Sequence, residues 1–145
     1  MAAVTTHDLP TIAGLWTGAD LAEQKEHQVG TDEELERGRA SLLEHLGDAP
    51  ADASTAEVVE GAYRRLATAP STLLSATLDD ALAEERRPNM PGTTDRPNWC
   101  LPLPVPTEEL ATHPGVQAVA QVLADGLAPK KLTKKKAKGK SAKKK

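Results

Sequence analysis

Apolar positions recur at helical spacing in three stretches of the chain and cluster without that period in two others. Leu35, Leu42, Leu43 and Leu46 follow Thr31-Asp32-Glu33-Glu34. In such a capping box the threonine hydroxyl and the glutamate carboxylate satisfy free backbone donors reciprocally. The pattern predicts a helix from this box to Leu46, with Gly47 as its stop. A second box, Ser54-Thr55-Ala56-Glu57, opens a helix whose stripe is Val58, Val59, Ala62, Tyr63 and Leu66, and Ala69-Pro70-Ser71 breaks it. Val116, Val119, Leu123 and Leu127 mark a third helix over about 114–127, with Pro114 near its first position.

The two other apolar runs are short. Residues 2–7 read as a strand, and Pro10 through about Glu26 as a loop leading into a helix. Residues 72–78, TLLSATL, have the length of a buried strand, although a buried helix turn carries the same pattern. Strand, helices, strand is the order of consecutive units in a parallel α/β fold. Residues 86–106, RRPNMPGTTDRPNWCLPLPVP, hold many prolines and no helical period, which predicts a long irregular loop. Trp99, Cys100, Leu101, Leu103 and Val105 predict that this loop is packed.

Charge divides the chain. Residues 1–129 hold all 21 acidic and eight basic residues, a net −13, whereas residues 130–145 carry +10. The lysine-rich tail, 129–145, is expected to be disordered, because like charges repel and nothing in it can bury. Its simplest role is a solubilising extension. Weak, salt-sensitive polyanion binding is the sharper one. Without aromatics to stack on bases the tail has no means of specific nucleic-acid recognition.

The single cysteine, Cys100, excludes an internal disulfide framework and fits a reducing, cytoplasmic setting. No apolar run approaches the roughly 20 residues of a membrane span, so no membrane partner is expected. His27, His45 and His113 have no partners at metal-ligand spacing, and neither a metal site nor a cofactor is expected. The aromatics are Trp16, Tyr63 and Trp99, with no Phe, so any core rests on Leu, Val and Ala.

The candidate chemistry lies in Thr6-His7-Asp8-Leu9-Pro10-Thr11. An imidazole and a carboxylate together at a strand's C-terminal end are typical of a barrel active site, but a whole (β/α)8 barrel needs roughly 250 residues. Asp79-Asp80 closes the second apolar run. Neighbouring strand residues face opposite ways, so at most one of the two is expected to reach a barrel mouth.

Three segments together, TTHDLPTIAGLWTGAD, LLSATLDDALAEE and RPNMPGTTDRPNW, resemble the C-terminal part of the bacterial 4-α-glucanotransferases, the amylomaltase or disproportionating-enzyme family, over residues 3–128. The resemblance implies a (β/α)8 barrel that transfers α-1,4-glucan segments between maltodextrins by a retaining double displacement. It implies that Asp8 is the carboxylate that steadies the transition state, that His7 hydrogen-bonds the sugar, and that Asn89, on the loop after the eighth strand, contacts substrate. Gly92 and Trp99 fall to loop geometry and packing. In this family the nucleophile and the acid/base precede the His-Asp strand.

The expected fold is therefore α/β, the last two strands plus helices of an incomplete (β/α)8 barrel. Residues 1–128 are the C-terminal part of the catalytic barrel, and 129–145 its tail. On this reading the chain is a truncated piece of a larger enzyme and inactive alone. The alternative is a small acidic helical interaction module with a polyanion-binding lysine tail.

Overall fold

The computed structural model describes residues 1–47 and 49–128; the lysine tail lies outside them. Two strands, β1 (Ala2–Ala3) and β2 (Leu74–Ser75), pair in parallel, with Ala2 opposite Leu74 and Ala3 opposite Ser75. Between them run four helices, α1 (Ile12–Thr17), α2 (Ala19–Glu26), α3 (Asp32–Leu46) and α4 (Thr55–Leu66). After β2 come α5 (Leu78–Ala81), a long irregular stretch, α6 (Thr107–Leu110) and α7 (Pro114–Leu127). A parallel pair joined through helices is the architecture of part of an α/β barrel.

Both capping boxes form. Thr31 Oγ1 accepts the Glu34 N–H while the Glu34 carboxylate accepts the Thr31 N–H, and Ser54 and Glu57 repeat the exchange. The core is built around α4, whose Val58, Val59, Ala62 and Tyr63 pack with Ile12, Ala81 and Val119. The stripe assigned from sequence to α4 is thus the centre of the molecule. The leucines of α3 are not: no residue of that helix is fully buried, and Leu42 is exposed. Beside the packing of Leu46 on the core, a charge fastens α3. Arg39 donates from Nε to the Leu15 carbonyl and from Nη2 to the Trp16 carbonyl, at 3.0 and 2.9 Å. These are carbonyls at the end of α1 that have no partner within their own helix.

The stretch from Pro10 to about Glu26, expected as a loop leading into a helix, holds two helices, and Gly18 stands between them at φ +86°, a left-handed conformation that glycine adopts without strain. Both strands are shorter than predicted, and for β2 one residue explains the end. Thr77, expected to continue the second strand, gives its N–H to the Tyr63 hydroxyl, and its Oγ1 accepts the Asp80 N–H, which starts α5. Asp79 and Asp80 accordingly lie on a helical turn and not at the end of a strand.

Asp80 is completely buried. Its Oδ1 accepts the Ile12 N–H at 2.8 Å, and its Oδ2 accepts the Tyr63 hydroxyl at 2.8 Å and the Thr5 hydroxyl. Burial and the neighbouring carboxylate push the Tyr63 phenol well above its usual range, so it stays a donor. One carboxylate thus joins the chain after β1, the start of α1, the middle of α4 and the turn after β2.

Candidate functional site

The first strand ends three residues into the chain and gives way to a turn carrying His7 and Asp8, closed by the Leu9 N–H on the Thr6 carbonyl at 3.1 Å. Both side chains are half exposed, and His7 Nε2 lies 3.3 Å from Asp8 Oδ2. Asn89 comes from the irregular stretch after α5. Its Nδ2 donates to Asp8 Oδ1 at 2.6 Å, across 81 positions of sequence. The three residues singled out from sequence, Asp8, His7 and Asn89, therefore share one surface.

Trp99 is the fourth member of this surface, and its position differs from the expectation. It is 63% exposed, with its ring tilted against the His7 imidazole at a centroid distance of 5.0 Å. Its backbone sits at φ +63°, where a non-glycine residue is strained, and its N–H donates to the Pro88 carbonyl at 2.8 Å. Cys100 is exposed as well, while Leu101, Leu103 and Val105 are half-buried. The tip of the loop is held by polar contacts in place of the apolar packing predicted for Trp99 and Cys100.

Those contacts centre on Asn98 and two arginines. Asn98 Oδ1 accepts the Met90 N–H at 3.0 Å and Arg96 Nη1 at 2.7 Å, while its Nδ2 donates to the Thr93 hydroxyl and carbonyl. Gly92 allows the turn between them at φ +86°. Arg87 forms a bidentate pair with Asp20 of α2, at 2.6 Å for both bonds, and its Nη1 reaches the Asp8 carbonyl at 3.0 Å. Arg96 pairs with Glu23, three residues further along α2, and Glu23 also receives Arg86. Burial would raise the Glu23 carboxyl, but the hydrogen bonds from Arg96 and Arg86 outweigh it and hold the group below its usual range.

None of Asp20, Glu23, Arg87, Arg96 and Asn98 was singled out from sequence. Acidic residues on a polar helix and arginines in a proline-rich loop both read as solvated surface. The one available signal was the pair of carboxylates three residues apart on α2, set against the arginines of the loop. His27 bonds Asp95 through Nδ1 at 2.9 Å, and the Asp95 carboxyl is lowered by that contact. Among the described residues no three of His, Cys, Asp and Glu converge as a metal site. Nor is any helix there long and apolar enough to cross a membrane.

The family profile described as 4-alpha-glucanotransferase matches residues 1–107. The chain belongs to the 4-alpha-glucanotransferase family. Two 4-alpha-glucanotransferases, from Mycobacterium bovis and Mycobacterium tuberculosis, are each 36% identical to it over 118 residues, covering 73% of this chain and 16% of the relative. Among solved structures, the crystal structure of amylomaltase from Corynebacterium glutamicum superposes with a TM-score of 0.68 and 30% identity, over 83% of this chain and 21% of that one. The chain thus spans about a sixth of the length of the two mycobacterial 4-alpha-glucanotransferases. The match to the family profile takes in His7, Asp8, Arg87, Asn89 and Trp99.

Proposed function

We propose that this chain acts in the transfer of α-1,4-glucan segments between maltodextrins, by a retaining double displacement, and that it supplies one part of the centre. A retaining displacement needs a nucleophilic carboxylate and an acid/base about 5–5.5 Å apart, one on each side of the scissile bond. Asp8 is assigned neither role. It is the third carboxylate, which binds ring hydroxyls and faces the positive charge that develops at the anomeric carbon. Such fixed charge is worth most where water is excluded. His7 and Asn89 are the hydrogen-bonding partners of the same sugar ring.

The observation that carries this reading is the 2.6 Å bond from Asn89 Nδ2 to Asp8 Oδ1, which brings the loop and the His-Asp turn to one place. The partners of the Asp8 carboxylate among the described residues are Asn89 and His7, with no second carboxylate among them. The nucleophile and the acid/base are accordingly assigned to other strands of the barrel, and the 145-residue chain assayed alone is expected not to transfer.

The test is a chimera in which residues 1–128 replace the matching segment of the Mycobacterium tuberculosis relative, assayed for disproportionation of maltotriose. Transfer is expected, with Asp8→Asn lowering kcat by about 10²- to 10³-fold, the size typical of losing a fixed electrostatic stabiliser. Robust transfer by the 145-residue chain alone would overturn the division of roles, and an unimpaired Asp8→Asn chimera would overturn the role of Asp8.

A further inference from the structure

We infer that Arg87, with Asp20 as its counter-charge, is a positioning residue for the Asp8–Asn89 pair. The inference rests on the glucan-transfer reading for its purpose but not for its geometry. Arg87 and Asp20 are 6% and 3% exposed, so this is a buried ion pair. Buried pairs are a poor way to gain stability, because apolar residues of similar volume do as well or better. The pair is better explained by what its third arm does. With Nε and Nη2 both on Asp20, Arg87 has Nη1 left to hold the Asp8 carbonyl at 3.0 Å.

The turn bearing Asp8 has little else to fix it. Its backbone closure is the single Leu9-to-Thr6 bond, and the Asp8 side chain is half exposed. Arg87 also stands two residues before Asn89, and its own carbonyl accepts Arg96 Nη2 at 2.5 Å. One residue therefore fixes both ends of the Asn89–Asp8 hydrogen bond. Its guanidinium sets where Asp8 begins, and its backbone, pinned by Arg96, sets where Asn89 begins. A lysine cannot replace it, since an ammonium is a compact charge on one nitrogen and lacks the rigid fork that spans two acceptors.

The experiment uses the full 145-residue chain and the side-chain amide signals of Asn89 in ¹⁵N-correlated NMR spectra. In the wild type these signals are expected to be shifted from free-amide positions by the bond to the Asp8 carboxylate, and to return toward them in Asp8→Ala. Arg87→Lys is expected to abolish that shift while the spectrum stays that of a folded chain. Tyr63→Phe serves as the control. It removes a buried hydroxyl from Asp80, weakens the core away from Asp8, and is expected to leave the Asn89 shift in place. A merely structural role for Arg87 would make the two variants behave alike.

Retention of the full Asn89 shift in Arg87→Lys overturns the inference, as does its absence from the wild type. If Arg87→Lys does not fold, the wild type decides. A through-hydrogen-bond coupling between Arg87 Nη1 and the Asp8 carbonyl carbon supports the assignment, and its absence at low temperature refutes it. Adding maltoheptaose to the wild type separates this inference from the glucan reading. Perturbation of Asn89 supports both, whereas no perturbation, with the Arg87→Lys effect intact, counts against glucan binding and leaves the positioning role standing.

Discussion

Asp80 accepts the Ile12 N–H at 2.8 Å, so the carboxylate at the turn after β2 also fixes the first free donor of α1. The same side chain receives the hydroxyls of Tyr63 and Thr5. Replacing it with alanine strands two buried donors, the Ile12 N–H and the Tyr63 hydroxyl, each costing about 1–3 kcal/mol, and takes a partner from the half-buried Thr5 hydroxyl. Asp80→Ala is expected to destabilise the chain by at least about 2 kcal/mol, the sum of the two buried donors at the low end, read as a shift in the urea midpoint. Asp80→Asn, which keeps one carbonyl acceptor, should cost less. Equal and small effects from both would show that the three donors find other partners.

Gly14 packs α1 against the loop that follows α5. A Cβ built there lies 2.1 Å from the Glu85 carbonyl oxygen, a backbone atom that cannot swing aside. The Thr11 hydroxyl donates to that same carbonyl, at 3.1 Å. Gly14→Ala should therefore cost about 1–3 kcal/mol through overpacking, although alanine is the better helix former. A thermal midpoint unchanged or raised by this substitution would contradict the packing.

Acid should loosen the loop through Glu23. Its carboxyl titrates below the ordinary value of 4.5 in the folded chain, because Arg96 and Arg86 outweigh the effect of burial. A group with a lowered folded-state pKa adds stability that is complete above its unfolded value and is lost as pH falls through the folded one. The thermal midpoint should fall below about pH 4.5, and Glu23→Gln should flatten that acid limb while lowering the plateau at neutral pH. An acid limb identical in the variant would assign the pH dependence elsewhere.

The lysine-rich segment 130–145 carries +10 against a remainder of −13. Retention on heparin at low salt should depend on that segment and fall steeply as salt rises, as expected for counterion release. Deleting residues 130–145 should abolish retention. Retention that survives the deletion would place the cationic surface elsewhere.

Much of the helical scaffold was legible in the sequence, and the reason is local. Thr31, Glu34, Ser54 and Glu57 announce their helices within four residues, and the α4 stripe shows its burial by periodicity alone. The strand ends were not legible, because Thr77 is as good a strand residue as a helix cap, and only Tyr63 and Asp80 decide between the two. His7, Asp8 and Asn89 could be named from motif. The residues that hold them in register could not, because Asp20 with Arg87 and Glu23 with Arg96 pair across more than 60 positions. Trp99 falls to loop geometry and packing on the sequence; its backbone at φ +63° agrees with the first, and its exposure does not agree with the second.

The two mooring points of the loop, Arg87 and Arg96, both tie to a single helix, on carboxylates less than one turn apart. That makes the stretch between them a cassette for protein engineering. New sequence can be spliced in around Gly92 with both anchorages left intact, whereas rotating α2 by inserting one residue before Asp20 would cast off both ends together.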